Sequence, residues 1–399
     1  MGSGLPDRRD EPNERIQQLA RAFGHHDEGL DVAFDVYREL RNKCPVGHSD
    51  RYGGFWFVTR YDDIHRIEQA PETFAVSPGM LLPPMGHVRP GIPIDIDPPM
   101  HAKYRRIMLP AFTPQRMNEM EPMVRRVARE LLDEIGDART FDASSSFAVQ
   151  MPMRVFCELA GLPAEDSTRL EDWINRIFYV RTHDYADTER AAAECCNYLA
   201  EHLEAHRNGP ARDDLLGRLL TAKIDGRPLT EDELVDYGFV LLTAGLDTTA
   251  WVIRSGLWYL AQHGEDRVTL VGHPELVATA SEEFLRCLSS VQAMARTATR
   301  DVPLDGSVAE RDDRVLIVFG AGNRDEAIFP DADRIEIDRQ PNPHMAFGVG
   351  IHRCLGSNLA RRELRVAFEE FLARYPRFTL APGSTPPWHG IGPLSLVVG

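Results

Sequence analysis

Cys354 has the setting with the most chemistry in it. It follows the run Phe347-Gly348-Val349-Gly350-Ile351-His352-Arg353 and precedes Leu355 and Gly356. Two glycines permit positive φ and a close approach of backbone. The residues after the cysteine, LGSNLARRELRVAFEEFLARYP, form an amphipathic pattern that stops before Pro376, so the thiol sits where a helix begins. A helix N-terminus and its free N–H groups favour thiolate over thiol. Such a sulfur could attack a carbonyl, ligate a metal or pack as an inert buried cysteine. Attack would need a base nearby, and His352 is two residues away.

Three further groupings carry chemistry. Asp247, Thr248 and Thr249 interrupt the apolar centre of a long helical pattern, just after Ala244 and Gly245. A threonine there bonds back to the carbonyl four residues earlier, or serves with the acid as a proton relay. Glu283 and Arg286 stand three apart, on one helix face, where such a spacing usually means a surface ion pair of small value. His101 and Arg105, in DPPMHAKYRR, lie one helical turn apart. They are a solvated face or a pair of cations for a carboxylate, a task that suits arginine.

The scaffold that must position these groups reads as mainly α with a minor β part. Thr113 can cap a helix over 113–136, Pro114 suits its first position, and Met117, Met120, Val124, Val127 and Leu131 keep the helical period. Thr230 and Glu233 form a capping-box pattern at the start of a helix over 230–262. Strand signals fall at 55–59, 314–319 and 394–398. Residues 76–99 are rich in Pro and Gly without helical period; a loop that long is a plain connection or a functional one. Residues 1–15 read as a flexible N-terminal segment and 16–399 as a single domain.

The 399 residues carry a formal charge of −16. That balance argues against nucleic acid and anionic membrane as partners. Six cysteines without a C-x-x-C pair argue against a zinc knuckle or thioredoxin-type site. Scattered thiols and a polar start without an apolar export core point to the cytoplasm. No apolar run approaches the roughly 20 residues of a membrane helix, so no membrane anchor is expected.

The cysteine loop resembles the cytochrome P-450 signature F-x-x-G-x-(H/R)-x-C-x-G, met here at every fixed position. The resemblance runs over roughly residues 30–398 and is to the short bacterial, ferredoxin-dependent members. It implies a helical prism with haem b between the long central helix and the cysteine-ligand helix. Cys354 would give the axial thiolate, which pushes electron density onto iron. Phe347, Gly348 and Gly356 would pack around it, and His352 would reach a haem propionate. His101, Arg105 and Arg296 (in ARTATRD) match the family's other propionate contacts. Ala244 and Gly245 would lie on the distal haem face, Gly245 opening a local bulge in the helix. Asp247 and Thr248 match the acid-alcohol pair that conducts protons to bound dioxygen, and Thr249 beside them is structural. Glu283 and Arg286 match a structural pair whose third partner would be Arg334. Where relatives have an aromatic residue and a Ser-Pro step this chain reads EEFLRCLSSVQ, with Cys287 in place of the aromatic; LDGSVAERDDRV likewise lacks a Pro-Ala-Gly turn.

The substrate pocket implied by the resemblance would be lined by Met80, Leu81, Leu82, Met85, Val240, Thr243, Ala244, Gln292, Met294 and Ile391. These are largely apolar, which suits a small to medium hydrophobic substrate. His87, Arg89, Gln292 and His389 are possible polar anchors or plain loop packing. Electrons would come from a ferredoxin with its ferredoxin reductase, since the chain shows no flavin or nucleotide module. Lys103, Arg106, Arg353, Arg361 and Arg362 could form a basic docking patch. The implied reaction is monooxygenation of the substrate with O2. Its rivals are desaturation, ring coupling or peroxide-driven oxidation on the same haem, a non-catalytic haem-binding sensor, and a cysteine hydrolase using His352.

Overall fold

The computed structural model describes residues 11–24, 30–87, 89–181, 183–384, 386 and 392–399. The N-terminal half contributes α1 (Glu11–Ala22), α2 (Leu30–Lys43), α3 (Tyr61–Glu68), α4 (Met100–Met108), α5 (Pro114–Ile135), α6 (Gln150–Ala160) and α7 (Ser167–Phe178). After these come α8 (Tyr185–Asn208), α9 (Leu215–Thr221), α10 (Glu231–Gln262), α11 (Gly264–Gly272), α12 (Val277–Cys287), α13 (Phe319–Gly322) and α14 (Ser357–Arg374). Residues 11–15 are thus part of α1 rather than a flexible lead-in, and residues 1–10 lie outside the described residues.

Strands β1 (Val46–Ser49), β2 (Phe55–Val58), β3 (Phe74–Ala75), β4 (Thr140–Asp142), β5 (Lys223–Ile224) and β6 (Arg227–Pro228) precede or interrupt the helices. The later ones are β7 (Met294–Ala298), β8 (Val302–Leu304), β9 (Ser307–Ala309), β10 (Arg314–Ile317), β11 (Phe378–Leu380) and β12 (Ser395–Val398). A five-stranded sheet has the order β1-β2-β10-β7-β3, with β10 parallel to β2 and antiparallel to β7. The three expected strand signals are β2, β10 and β12. Residues 76–99 hold no helix or strand among those described.

Helix α10 is the spine. Thr230 and Glu233 close a reciprocal capping box: the Glu233 amide donates to Thr230 Oγ1 at 3.2 Å and the Thr230 amide to Glu233 Oε2 at 2.7 Å. Such a cap is worth about 1 kcal/mol. Beyond the first turn α10 is buried on nearly every face, the pattern of a helix packed round by others. It contacts α6, α8, α12 and α14. Helix α5 starts as its sequence predicts, with Thr113 Oγ1 accepting from the Arg116 amide, and packs along α14. The helix after the cysteine is therefore held between α5, α12 and the spine.

Candidate active site

The cysteine loop is shaped by what it packs against. Gly348 (φ 63°) and Gly350 (φ 69°) adopt left-handed conformations. A Cβ on Gly350 would lie 2.4 Å from the Glu68 carbonyl oxygen, and one on Gly348 would lie 2.9 Å from Glu68 Oε2. Both positions need glycine for conformation and for space. The loop closes through the Cys354 amide, which donates to Phe347 O at 2.8 Å. Arg361 stacks over the Phe347 ring at 4.5 Å and donates two bonds to Glu282, at 2.7 and 2.9 Å. His344 also reaches Glu282, at 3.0 Å. Burial alone would raise Glu282, but His344 and Arg361 prevail and hold it at about 2.

Cys354 keeps accessible surface, yet it is ringed by protein. Burial pushes its thiol pKa up, against the Gly356 amide, Arg105, Arg353 and Arg361. The Gly356 amide at the helix start lowers it, as the sequence implies, and enclosure outweighs that contribution and the cations. A metal would remove that penalty, because a coordinating thiol is deprotonated outright.

The candidate cations converge. His101 is buried, and its ring lies 4.2 Å from that of His352. Burial first, then His101, Arg296 and Arg105, push His352 down to about 3. His352 Nε2 is buried with no hydrogen-bond partner. Arg105 donates to the Arg353 carbonyl, and Arg296 is buried against Glu68. Two guanidiniums and two imidazoles around one point, with an orphaned ring nitrogen among them, fit a group bearing carboxylates. The sulfur of Cys354 beside them fits its metal. The residues present suit haem.

On the distal side α10 runs without a break through Ala244–Thr249, so the bulge expected at Gly245 is absent. Thr248 Oγ1 donates to Ala244 O at 3.1 Å, the local back-bond. Asp247 accepts from the Tyr179 hydroxyl at 2.8 Å. Burial raises the Asp247 pKa, with Tyr179, Arg254 and Arg181 opposing. Thr249, buried, bonds to Glu363 of α14, whose carboxyl burial pushes up to about 8.

Glu283 and Arg286 form a fully buried ion pair. The third partner is Arg339, not Arg334: Arg339 Nε donates to Glu283 Oε1 at 3.0 Å, whereas Arg334 offers only its carbonyl, to Arg286 Nη2 at 2.9 Å. Asn342 completes the set at 3.0 Å from Glu283 Oε2.

The pocket residues separate into different environments. Val240 meets the 76–99 loop, where a Cβ on Gly91 would lie 2.7 Å from its Cγ2. Met85 packs on the main core, Leu82 on the cluster around Tyr37 and Phe55, and Met294 on that around Val58 and Ile317. Thr243 is buried and bonds back to Phe239 O at 2.7 Å, and Gln292 donates to Ser289 O. Ala244 is exposed within the otherwise buried α10. His87 and Arg89 are not free anchors: both bind Asp236 of α10, at 3.0 and 2.7 Å. Ile391 and His389 lie outside the described residues. The basic patch is also smaller than expected. Lys103 pairs with Asp225, Arg361 with Glu282 and Arg362 with Glu121.

The sequence reading missed Glu68, Tyr179, Arg339 and Asn342. Glu68 and Tyr179 show no periodic or motif signal of their own; Arg339 was legible as a second arginine five residues after Arg334.

A buried acid-arginine lock, a cysteine at the mouth of a helix and a clamp of cations together define a haem-thiolate protein. The cytochrome P450 family model, written here cytochrome P-450, matches residues 153–267 and 271–397, and the chain belongs to that family. It is 37% identical over 372 residues to the mycinamicin IV hydroxylase/epoxidase of Micromonospora griseorubida, covering 90% of this chain and 92% of that one. It is 34% identical to the polyketide biosynthesis cytochrome P-450 PksS of Bacillus subtilis, covering 87% and 89%. Among solved structures, P-450 BioI bound to acyl carrier protein carrying hexadec-9Z-enoic acid matches with a TM-score of 0.84 at 28% identity, over 93% of this chain and 99% of that one. A Bacillus megaterium cytochrome P-450 holding testosterone matches with a TM-score of 0.83 at 30% identity, over 92% and 98%. The chain is a haem-thiolate monooxygenase whose cofactor is haem b and which takes electrons from a redox partner. No helix among the described residues is long and apolar enough to cross a membrane.

Proposed function

We propose that this enzyme hydroxylates a small to medium hydrophobic molecule, using a ferredoxin and its reductase in the cytoplasm. Cys354 holds the iron. His101, Arg105, Arg296 and His352 hold the cofactor's carboxylates. When bound, haem supplies oxygen activation and transfer; the chain supplies the sulfur, the position and the protons.

The observation that carries this reading is the Asp247–Thr248 pair on the spine, with Asp247 held by Tyr179 at 2.8 Å. An acid whose pKa is raised by burial takes up a proton more readily and can pass it on. The Thr248 hydroxyl, while donating to Ala244 O, keeps its lone pairs open to accept from water. Asp247 would take up the proton and Thr248 would hand it on through water.

The substrate class is supported by apolar Met80, Leu82, Met85 and Val240 along the loop and spine, and by relatives whose names point to polyketide biosynthesis or whose structures hold a steroid. Among the described residues Arg353 and Arg106 make no ion pair, which suits them to meet an acidic ferredoxin. The test couples two readouts: a screen for compounds that shift the Soret band from low to high spin, then turnover with ferredoxin, reductase and O2. A product that gains one oxygen atom supports hydroxylation. A product that has lost two hydrogens, or joined two rings, would replace it with desaturation or coupling. Turnover only with added peroxide would overturn the relay.

A further inference from the structure

Glu68 stands outside the motifs and the relay, yet it touches both parts of the haem-binding apparatus. It is the last residue of α3 and is 5% exposed. One carboxylate oxygen accepts from Arg296 Nη2. The other accepts from the Val349 amide at 3.1 Å, inside the cysteine loop. Its backbone oxygen and Oε2 are the atoms against which Gly350 and Gly348 pack. Arg296 spends its other terminal nitrogen on the Ala295 carbonyl, at 2.9 Å.

A buried carboxylate at such a junction needs a reason, because desolvation of a charge is costly unless pairing offsets it. The pairing here is with a cation of the carboxylate-binding cluster. Two arginines, Arg105 and Arg296, face that point, and among the described residues the carboxylate bonded to one of them is Glu68. Glu68 therefore cancels part of the positive field that the cofactor's own carboxylates meet. It also fixes Arg296 relative to the loop that ends in Cys354, through the Val349 amide three residues before His352.

We propose that Glu68 is a positioning residue: it shares Arg296 with the haem carboxylate, ties that contact to the cysteine loop, and holds the iron's reduction potential down. Removing its charge frees Arg296 Nη2 for the haem carboxylate and raises the local positive potential. Reduction of the iron, which adds an electron, then becomes easier.

The test uses the haem-loaded enzyme and compares Glu68→Gln with the parent. Both should give the thiolate CO band, which establishes ligation independently of the substrate reading. The reduction potential, read by spectroelectrochemistry, shifts to a more positive value in Glu68→Gln, and haem transfer to apomyoglobin slows several-fold. In an Arg296→Gln background the same change at Glu68 moves the potential much less, because the effect runs through Arg296. Should Glu68→Gln give no folded protein, Glu68→Asp decides. Its carboxylate keeps the charge but is set one methylene further back from Arg296, so the potential moves up by less than the loss of the charge would move it. A parent-like potential and haem-transfer rate in whichever of the two variants folds would overturn the proposal, as would an equal shift with and without Arg296.

Discussion

Tyr179, the C-cap residue of α7, donates its hydroxyl to Asp247 Oδ1 at 2.8 Å, so the acid of the spine is held from beyond a different helix. The bond favours the ionised acid and so opposes the rise caused by burial. Tyr179→Phe removes that opposition, and the Asp247 pKa rises further. The acidic limb of the kcat–pH profile should move to higher pH, and more electrons should be lost as peroxide. Asp247→Asn should lower kcat by about 100-fold with little change in substrate binding. An unshifted pH profile in Tyr179→Phe would show that Tyr179 does not set the acid.

Glu283 and Arg339 give a stability prediction. Glu283→Ala leaves Arg286 and Arg339 buried without their shared carboxylate and should cost about 3–5 kcal/mol in urea unfolding. Arg334→Ala removes an exposed side chain whose carbonyl stays in place, and should change stability by about 0.5 kcal/mol or less. Equal losses in the two variants would contradict the assignment.

Glu363 gives a pH prediction with a definite sign. Burial, opposed by the Thr249 hydroxyl, raises its folded-state pKa from 4.5 to about 8. The folded protein therefore holds a proton that the unfolded chain releases. The stability this contributes is fully present below pH 4.5 and is lost as pH rises towards 8. Glu363→Gln, which stays neutral, should flatten the fall in Tm over that window. An identical pH dependence in parent and variant would show that Glu363 is ionised in the fold.

Asp236 anchors the 76–99 loop. His87 Nε2 lies 3.0 Å from its carboxylate, Arg89 binds it as well, and Cys196 Sγ rests 3.7 Å from His87 Nδ1. Asp236→Asn should weaken both bonds and let the loop open more often. The labelling rate of Cys196 by a thiol reagent, read on its own peptide, should rise several-fold. No change in that rate would mean the loop is held elsewhere.

The sequence made the long helices, the three main strands and the cysteine loop legible because each rests on local information: a cap, a period, a fixed spacing. Thr230 and Glu233, four residues apart inclusive, announce a cap that the structure then shows in both directions. What failed was long-range or competitive. Arg334 and Arg339 are both plausible partners for Glu283 by spacing, and only packing buries one of them. His87 and Arg89 looked free because their partner, Asp236, lies nearly 150 residues away. The thiol of Cys354 was read from its helix alone, which leaves out the opposing effect of enclosure by the rest of the fold. Glu68 is an unremarkable acid at a helix end until the fold sets Arg296 and Val349 on either side of it.

The reduced, CO-treated spectrum of Cys354→Ser beside the parent tests the central claim most directly. The parent should absorb at about 450 nm, the mark of a thiolate opposite CO, and the serine variant should lose that band and its turnover together. A serine variant with the parent's spectrum and activity would show that another residue holds the iron.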